Sequence, residues 1–157
     1  MSEHLEIAQG SKAEKYAALL PQIRSVVEDE PDQIARMANV AAMLHETFQW
    51  WWTGFYRVAD EMQLVLGPFQ GQLACTRIKK GRGVCGTAWE KDETQVVPDV
   101  DKFPGHIACS SASRSEIVVP IHDKTGQVIA VLDIDSAELN TFDETDKKWL
   151  EQIATLI

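Results

Sequence analysis

The chain has 157 residues, 45% hydrophobic and 25% charged, with 24 acidic against 15 basic side chains and a formal charge of −9. That length and composition suit one soluble domain over residues 1–157 with a well-buried core, and leave too little chain for two. The charge argues against a nucleic-acid backbone or an anionic membrane as the main partner, since both would repel it, and no segment approaches the ~20 apolar residues that span a bilayer.

The first residues, MSEHLEIAQGSKAEK, lack the basic start and apolar centre of a secretory signal. A cytoplasmic protein is therefore expected, with residues 1–10 as a flexible leader. Residues 11–48 read as helical, and Ser11 and Glu14 are spaced as a capping box. Pro21 should break or restart that helix, because it lacks an amide hydrogen and crowds the preceding turn. After a turn over residues 28–32, Ile34, Met37, Val40, Met43 and Leu44 recur at helical spacing and define one apolar face. These helices are available either to cover a sheet or to make a homodimer contact.

From Trp50 the period changes to two. The run WWTGFYRV predicts a strand with Trp50, Trp52, Gly54, Tyr56 and Val58 on one side. MQLVLGPF predicts its hairpin partner, across the acidic turn at 59–61. Cys75 to Ile78 offers a third short strand. A run holding Gly81, Gly83 and Gly86 then leads into a short helix, Thr94 to Val97 is extended, and Pro98 to Gly105 is loop. Glu116 to Ile121 and Val128 to Asp135 flank a turn at 123–126 and form a second hairpin. A capping box from Thr141 to Glu144 opens a final helix carrying Trp149, Leu150, Ile153, Leu156 and Ile157. The pattern predicts an α+β fold, an antiparallel sheet with helices packed mainly on one face.

Alternation along VIAVLDIDS places Val128, Ala130, Leu132 and Ile134 on one side, and Ile129, Val131, Asp133 and Asp135 on the other. Glu116 opens the strand that pairs with this one, so the three acids are positioned to converge. The same pattern also suits acids that simply face water at the end of a sheet. Trp52 and Tyr56 share a strand face and are suited either to wall a small pocket or to fill core, the commoner use of aromatics. A pocket with aromatic walls and acids at one end fits a small ligand with an apolar tail and an ammonium head.

Cys75, Cys85 and Cys109 make an odd count, unsuited to a structural disulfide framework, and no CxxC spacing signals zinc. None lies in an apolar helix stripe or mid-strand, where inert thiols usually hide. Loop cysteines among Gly, Ser and His can present a thiolate, with His106, Arg77 and Arg114 as candidates for lowering the pKa. The glycine cluster lacks the GK[ST] of a phosphate loop.

GRGVCGTA (81–88), VPDVDKFPGHIAC (97–109) and SASRSEIVVPI (111–121) resemble the free methionine-(R)-sulfoxide reductases, from about Tyr16 to the C-terminus. The resemblance implies a GAF-like fold with a six-stranded antiparallel sheet. It implies an enzyme that reduces free L-methionine-(R)-sulfoxide through a sulfenic acid and an intramolecular disulfide, recycled by thioredoxin, with no cofactor and no metal. It makes Cys109 the nucleophile, Cys75 the principal resolving cysteine and Cys85 a third that forms or relays an alternative disulfide. Glu116, Asp133 and Asp135 become the substrate-holding acids, and Trp52 and Tyr56 the pocket aromatics. Ser110 stands where the family usually has Asp. The competing readings are a GAF sensor that binds a nucleotide or metabolite without turnover, and a non-catalytic redox sensor.

Overall fold

The structure, a computed structural model, describes residues 4–106, 109 and 112–157. Helices α1 (Lys12–Val27) and α2 (Gln33–Phe48) lead into strands β1 (Trp52–Val58), β2 (Gln63–Gln70) and β3 (Arg77–Lys79). Helix α3 (Gly83–Lys91), strand β4 (Gln95–Val97), a 3-10 turn at Val100–Lys102, strands β5 (Ser115–His122) and β6 (Val128–Ser136), and helix α4 (Glu144–Ala154) complete the chain. The strands form one antiparallel sheet in the order β3-β2-β1-β6-β5-β4, so the two hairpins meet where β1 pairs with β6. Among the described residues no helix is long and apolar enough to cross a membrane.

The sheet separates two clusters of buried side chains. On one face α1, α2 and α4 pack Tyr16, Leu19, Ile23, Met37, Leu44, Leu150 and Ile153 against Phe55, Ile117, Leu132 and Ile134. The apolar faces of α1 and α2 are therefore used to cover the sheet. On the other face α3 packs Val84, Ala88 and Trp89 against Tyr56, Leu64, Val118 and Val131. The expected α+β architecture holds, with three of the four helices on the first face.

Several details differ from the expectation. Pro21 lies inside α1 without ending it. The flanking Leu19 and Ile23 are fully buried against the sheet, and that packing holds the helix through the one missing amide donor. Ser11 does make the predicted box with Glu14, but the box that opens α4 is Asp143 with Asp146, two residues beyond Thr141, whose hydroxyl instead donates to Ser136 Oγ at 2.6 Å. Ile34, at the start of α2, is 43% exposed rather than part of the buried stripe. Trp50 precedes β1, so the alternation does not govern it; its ring stacks on Phe48 at 4.4 Å in the helical-face core. A bulge between Ile121 and His122 pairs His122 with Val128 and moves Val128 into the α3-side cluster. Residues 4–10, part of the leader expected to be flexible, run beside α1, where Glu6 and Gln22 exchange two hydrogen bonds of 2.9 and 2.7 Å.

Candidate active site

Strand register builds the site. Glu116 on β5 stands opposite Asp135 on β6, and Asp135 in turn stands opposite Trp52 on β1. Directly opposed residues of antiparallel strands point to the same face. One row of Glu116, Asp135 and Trp52 thus crosses three strands on the α3 side of the sheet. Two residues along, Asp133 stands opposite Gly54, and Tyr56 opposite Val131. Gly54 is needed for close packing: a Cβ there would lie 2.3 Å from Phe69 Cβ and 2.7 Å from Trp52 Cη2. Its bare backbone lets the Trp52 ring lie between Phe69 and Tyr56, with centroids 5.2 and 5.9 Å away.

The two aromatics also hold the loop after β2. Trp52 Nε1 donates to the carbonyl of Gln72 at 3.0 Å, and the Tyr56 hydroxyl donates to the carbonyl of Cys75 at 2.9 Å. That loop presents Cys75, which is disulfide-bonded to Cys109 with 5.5 Å between Cα atoms. Cys109 is exposed, and Cys85, in the first turn of α3, is a buried free thiol.

Between the acids, the aromatics, α3 and Cys109 lies a cavity of about 50 Å³. Of the eight residues singled out from sequence, Trp52, Tyr56, Cys85, Cys109, Glu116, Asp133 and Asp135 line it. Cys75 sits behind the rim, attached through its bond to Cys109. His106 lines the cavity too, whereas Arg77 and Arg114 are exposed and do not. Sequence reasoning passed over Arg82, which lines the cavity at the start of α3, and Ser113, whose hydroxyl donates to Asp135 Oδ1 at 3.0 Å. The glycine-flanked position of Arg82 and the serine run around Ser113 were the available signals. Ser110 lies outside the described residues.

The electrostatics follow from crowding acids where they are largely buried. Glu116 and Asp133 are buried and Asp135 half-buried. Burial first, and then the neighbouring carboxylates, push the Glu116 and Asp135 carboxyls well above the ordinary range. Asp133 is raised by burial as well, but hydrogen bonding with Glu116 and Cys85 and the nearby His106 pull it back. Three carboxyls raised together make a cluster that holds protons which ordinary surface acids release. Asp133 Oδ1 is buried with no hydrogen-bond partner. Burial and the same acids push the Cys85 thiol well up, so it stays protonated. The first turn of α3 also faces the cavity through Gly83, Val84 and Cys85, and its cap residue Arg82 makes no side-chain capping bond.

The fold, with its ligand-sized cavity on the α3 side of the sheet, defines a GAF domain, and the profile of the GAF domain family matches residues 29–157. The chain is 60% identical, over its full length and 99% of the relative, to GAF domain-containing protein A of Dictyostelium discoideum. It is 40% identical, over 94% of the chain and 86% of the relative, to the free methionine-R-sulfoxide reductase of Saccharomyces cerevisiae. The X-ray structure of the free methionine-R-sulfoxide reductase from Neisseria meningitidis, in complex with its substrate, superposes with a TM-score of 0.95 at 55% identity, covering 99% of this chain and 93% of that one. The chain belongs to the free methionine-R-sulfoxide reductases, the enzyme family within the GAF domains that its motifs resemble.

Proposed function

We propose that the chain reduces free L-methionine-(R)-sulfoxide to methionine with Cys109 as nucleophile. The observation that carries this reading is the Cys75–Cys109 disulfide at the rim of a cavity lined by three crowded carboxyl groups. Glu116, kept protonated by burial, hydrogen-bonds the sulfoxide oxygen and makes the sulfur electrophilic. The Cys109 thiolate takes the oxygen through attack at sulfur, so methionine leaves as the thioether and Cys109 becomes a sulfenic acid. Cys75 displaces water from that sulfenic acid and closes the disulfide. Two thiols are oxidised for each sulfoxide reduced, and no cofactor is required.

Asp133, whose Oδ1 is buried without a hydrogen-bond partner, takes the substrate ammonium. The uncapped amides of α3 are placed to receive the substrate carboxylate, since a helix start carries unpaired N–H groups and partial positive charge. Trp52 and Tyr56 wall the apolar part. A peptide-bound methionine has no free ammonium for Asp133, which supports selectivity for the free amino acid. Exchange with a thioredoxin-type dithiol returns Cys75 and Cys109 to thiols, and such a donor points to a cytoplasmic setting. Cys85, packed against Asp133, is a reserve thiol whose use would require leaving that contact.

The test is a single-turnover experiment with reduced protein and racemic methionine sulfoxide. The expected outcome is loss of two thiols and release of one methionine from the R epimer alone. Cys109→Ser should release none, while Cys75→Ser should release about one equivalent and stop. Full thiol retention with no methionine would leave a binding module, and full activity in Cys109→Ser would refute the nucleophile.

A further inference from the structure

The cavity contains a contact that sulfoxide reduction does not call for. The Cys85 sulfur and one carboxylate oxygen each from Glu116 and Asp133 lie within 4.8 Å of one another, and all three residues are buried. They come from three elements, α3, β5 and β6, so no local spacing signals them. We propose that this trio is a binding site for a thiophilic divalent cation of the zinc class, and that the cation occupies the pocket in competition with substrate.

The donor set fits such an ion. One thiolate and two carboxylates give three protein ligands and leave a fourth, open position, the arrangement of an accessible zinc site. With zinc–sulfur bonds of about 2.3 Å and zinc–oxygen bonds of about 2.0–2.2 Å, tetrahedral ligand atoms stand about 3.3–3.7 Å apart. The trio, within 4.8 Å, therefore needs to close by at most about 1.5 Å, within reach of side-chain rotation. A second, independent observation points inward: Asp133 is 5% exposed, lines the cavity, and has Oδ1 buried without any partner. A buried acceptor left without a protein partner is costly unless something else satisfies it, a positive visitor best of all. The substrate ammonium is one visitor. A cation that also gathers the Cys85 sulfur satisfies more of the cluster, because it displaces the Cys85 and Glu116 protons to solvent and exchanges a buried thiol among acids for a metal–thiolate bond. Asp135, opposite Glu116, adds further negative charge beside the site. Soft thiolate donors also favour zinc over magnesium or calcium, which prefer oxygen alone.

The oxidised protein gives a clean probe. With Cys75 and Cys109 bonded to each other, Cys85 is the single thiol left of the chain's three cysteines. Titrating that form with cobalt(II) should show one equivalent bound and a thiolate-to-cobalt charge-transfer band in the near ultraviolet. The band should vanish in Cys85→Ser, and affinity should fall at least tenfold in Asp133→Asn. Zinc should displace the cobalt, and excess methionine sulfoxide should lower the apparent affinity. Cobalt binding without the thiolate band would overturn the site, as would unchanged affinity in Asp133→Asn or no uptake at all. The wild-type band decides the question even if Cys85→Ser fails to fold. Competition with substrate rests on the proposed reaction, but cobalt uptake does not. A bound cobalt that methionine sulfoxide leaves in place would retain the metal site and remove the competition.

Discussion

Two buried aspartates sit on opposite faces of the same sheet, and their surroundings differ in a way that separates structure from chemistry. Asp146, at the start of α4, is wholly buried and fully engaged. Tyr16 donates to its Oδ1 at 2.6 Å, while Lys12 Nζ at 2.6 Å and the Asp143 amide at 3.0 Å donate to Oδ2. Asp133, on the α3 side, is almost as buried, yet its Oδ1 has no partner and its neighbours are other acids. A buried carboxylate supplied with donors ties α1 to α4. One that keeps an oxygen without any donor suits a ligand that brings its own positive charge. The first face supplies the larger apolar cluster, and buried polar side chains such as Ser115, Ser136 and Asp146 are hydrogen-bonded within it.

The largest effect that tests this contrast should come from Glu116→Gln. If Glu116 is the acid proposed to protonate the sulfoxide, removing it should lower kcat by about 10²–10⁴. Stability should move the opposite way, and with a definite pH dependence. Glu116 holds its proton more tightly when folded, so its contribution is fully present below its unfolded value of 4.5 and is lost as pH rises through the raised folded value. Glutamine suffers no such loss. The melting temperature of the variant relative to wild type should therefore climb as pH increases from 4.5, and a flat difference would remove the proton from Glu116. On the other face, Asp146→Ala should cost about 3 kcal/mol in denaturant titration, because the Tyr16 hydroxyl is left buried and unpaired. Lys12, about one-third exposed, can turn to water and limits the loss. The kcat/KM of the folded fraction should not change; a selective loss of turnover would break the division between the faces.

Asp133→Asn is the direct counterpart. Losing the ion pair with the substrate ammonium should raise KM about 30-fold, equivalent to about 2 kcal/mol. Stability should hold or rise, since no donor loses its acceptor at Oδ1 and one buried charge disappears. An unchanged KM would count against Asp133 as the ammonium site. A fall in stability as large as that of Asp146→Ala would mean the two aspartates serve the same structural purpose.

The parts of this arrangement that strand alternation controls were readable in the sequence. Period two along β6 placed Asp133 and Asp135 on one face, and the hairpin brought Glu116 opposite Asp135. Where the pleat is interrupted, the same rule fails. Trp50 was assigned to the Trp52 face although the strand begins two residues later, and Val128 changed sides at the bulge beside His122. Both depend on where pairing starts and slips, which is set by partners distant in the chain. The capping box of α4 was misplaced because Thr141 and Asp143 both open plausible boxes, and only the buried Tyr16–Asp146 contact favours the second. Cysteine pairing was beyond spacing altogether. Cys75 and Cys109 are 34 positions apart and meet through the loop that the β1 aromatics hold; only resemblance to a family joined them beforehand.

That loop offers the smallest and most selective test of the contrast between the faces. Tyr56 and Tyr16 are both buried tyrosines whose hydroxyls donate one hydrogen bond, but Tyr16 bonds to a carboxylate between helices and Tyr56 to the carbonyl of Cys75. Tyr56→Phe should lose a neutral hydrogen bond of about 1 kcal/mol. The Cys75 loop would then be less well placed against the Cys109 sulfenic acid, and that deficit corresponds to about fivefold slower disulfide closure. Single-turnover kinetics would resolve the two events. Methionine release, which needs only Cys109 and the acids, should keep its rate, while disappearance of the second thiol lags behind it. If release slowed in step with disulfide closure, Tyr56 would be acting on the substrate rather than through Cys75. If neither changed, the loop would owe its position to Trp52 and Gln72 alone.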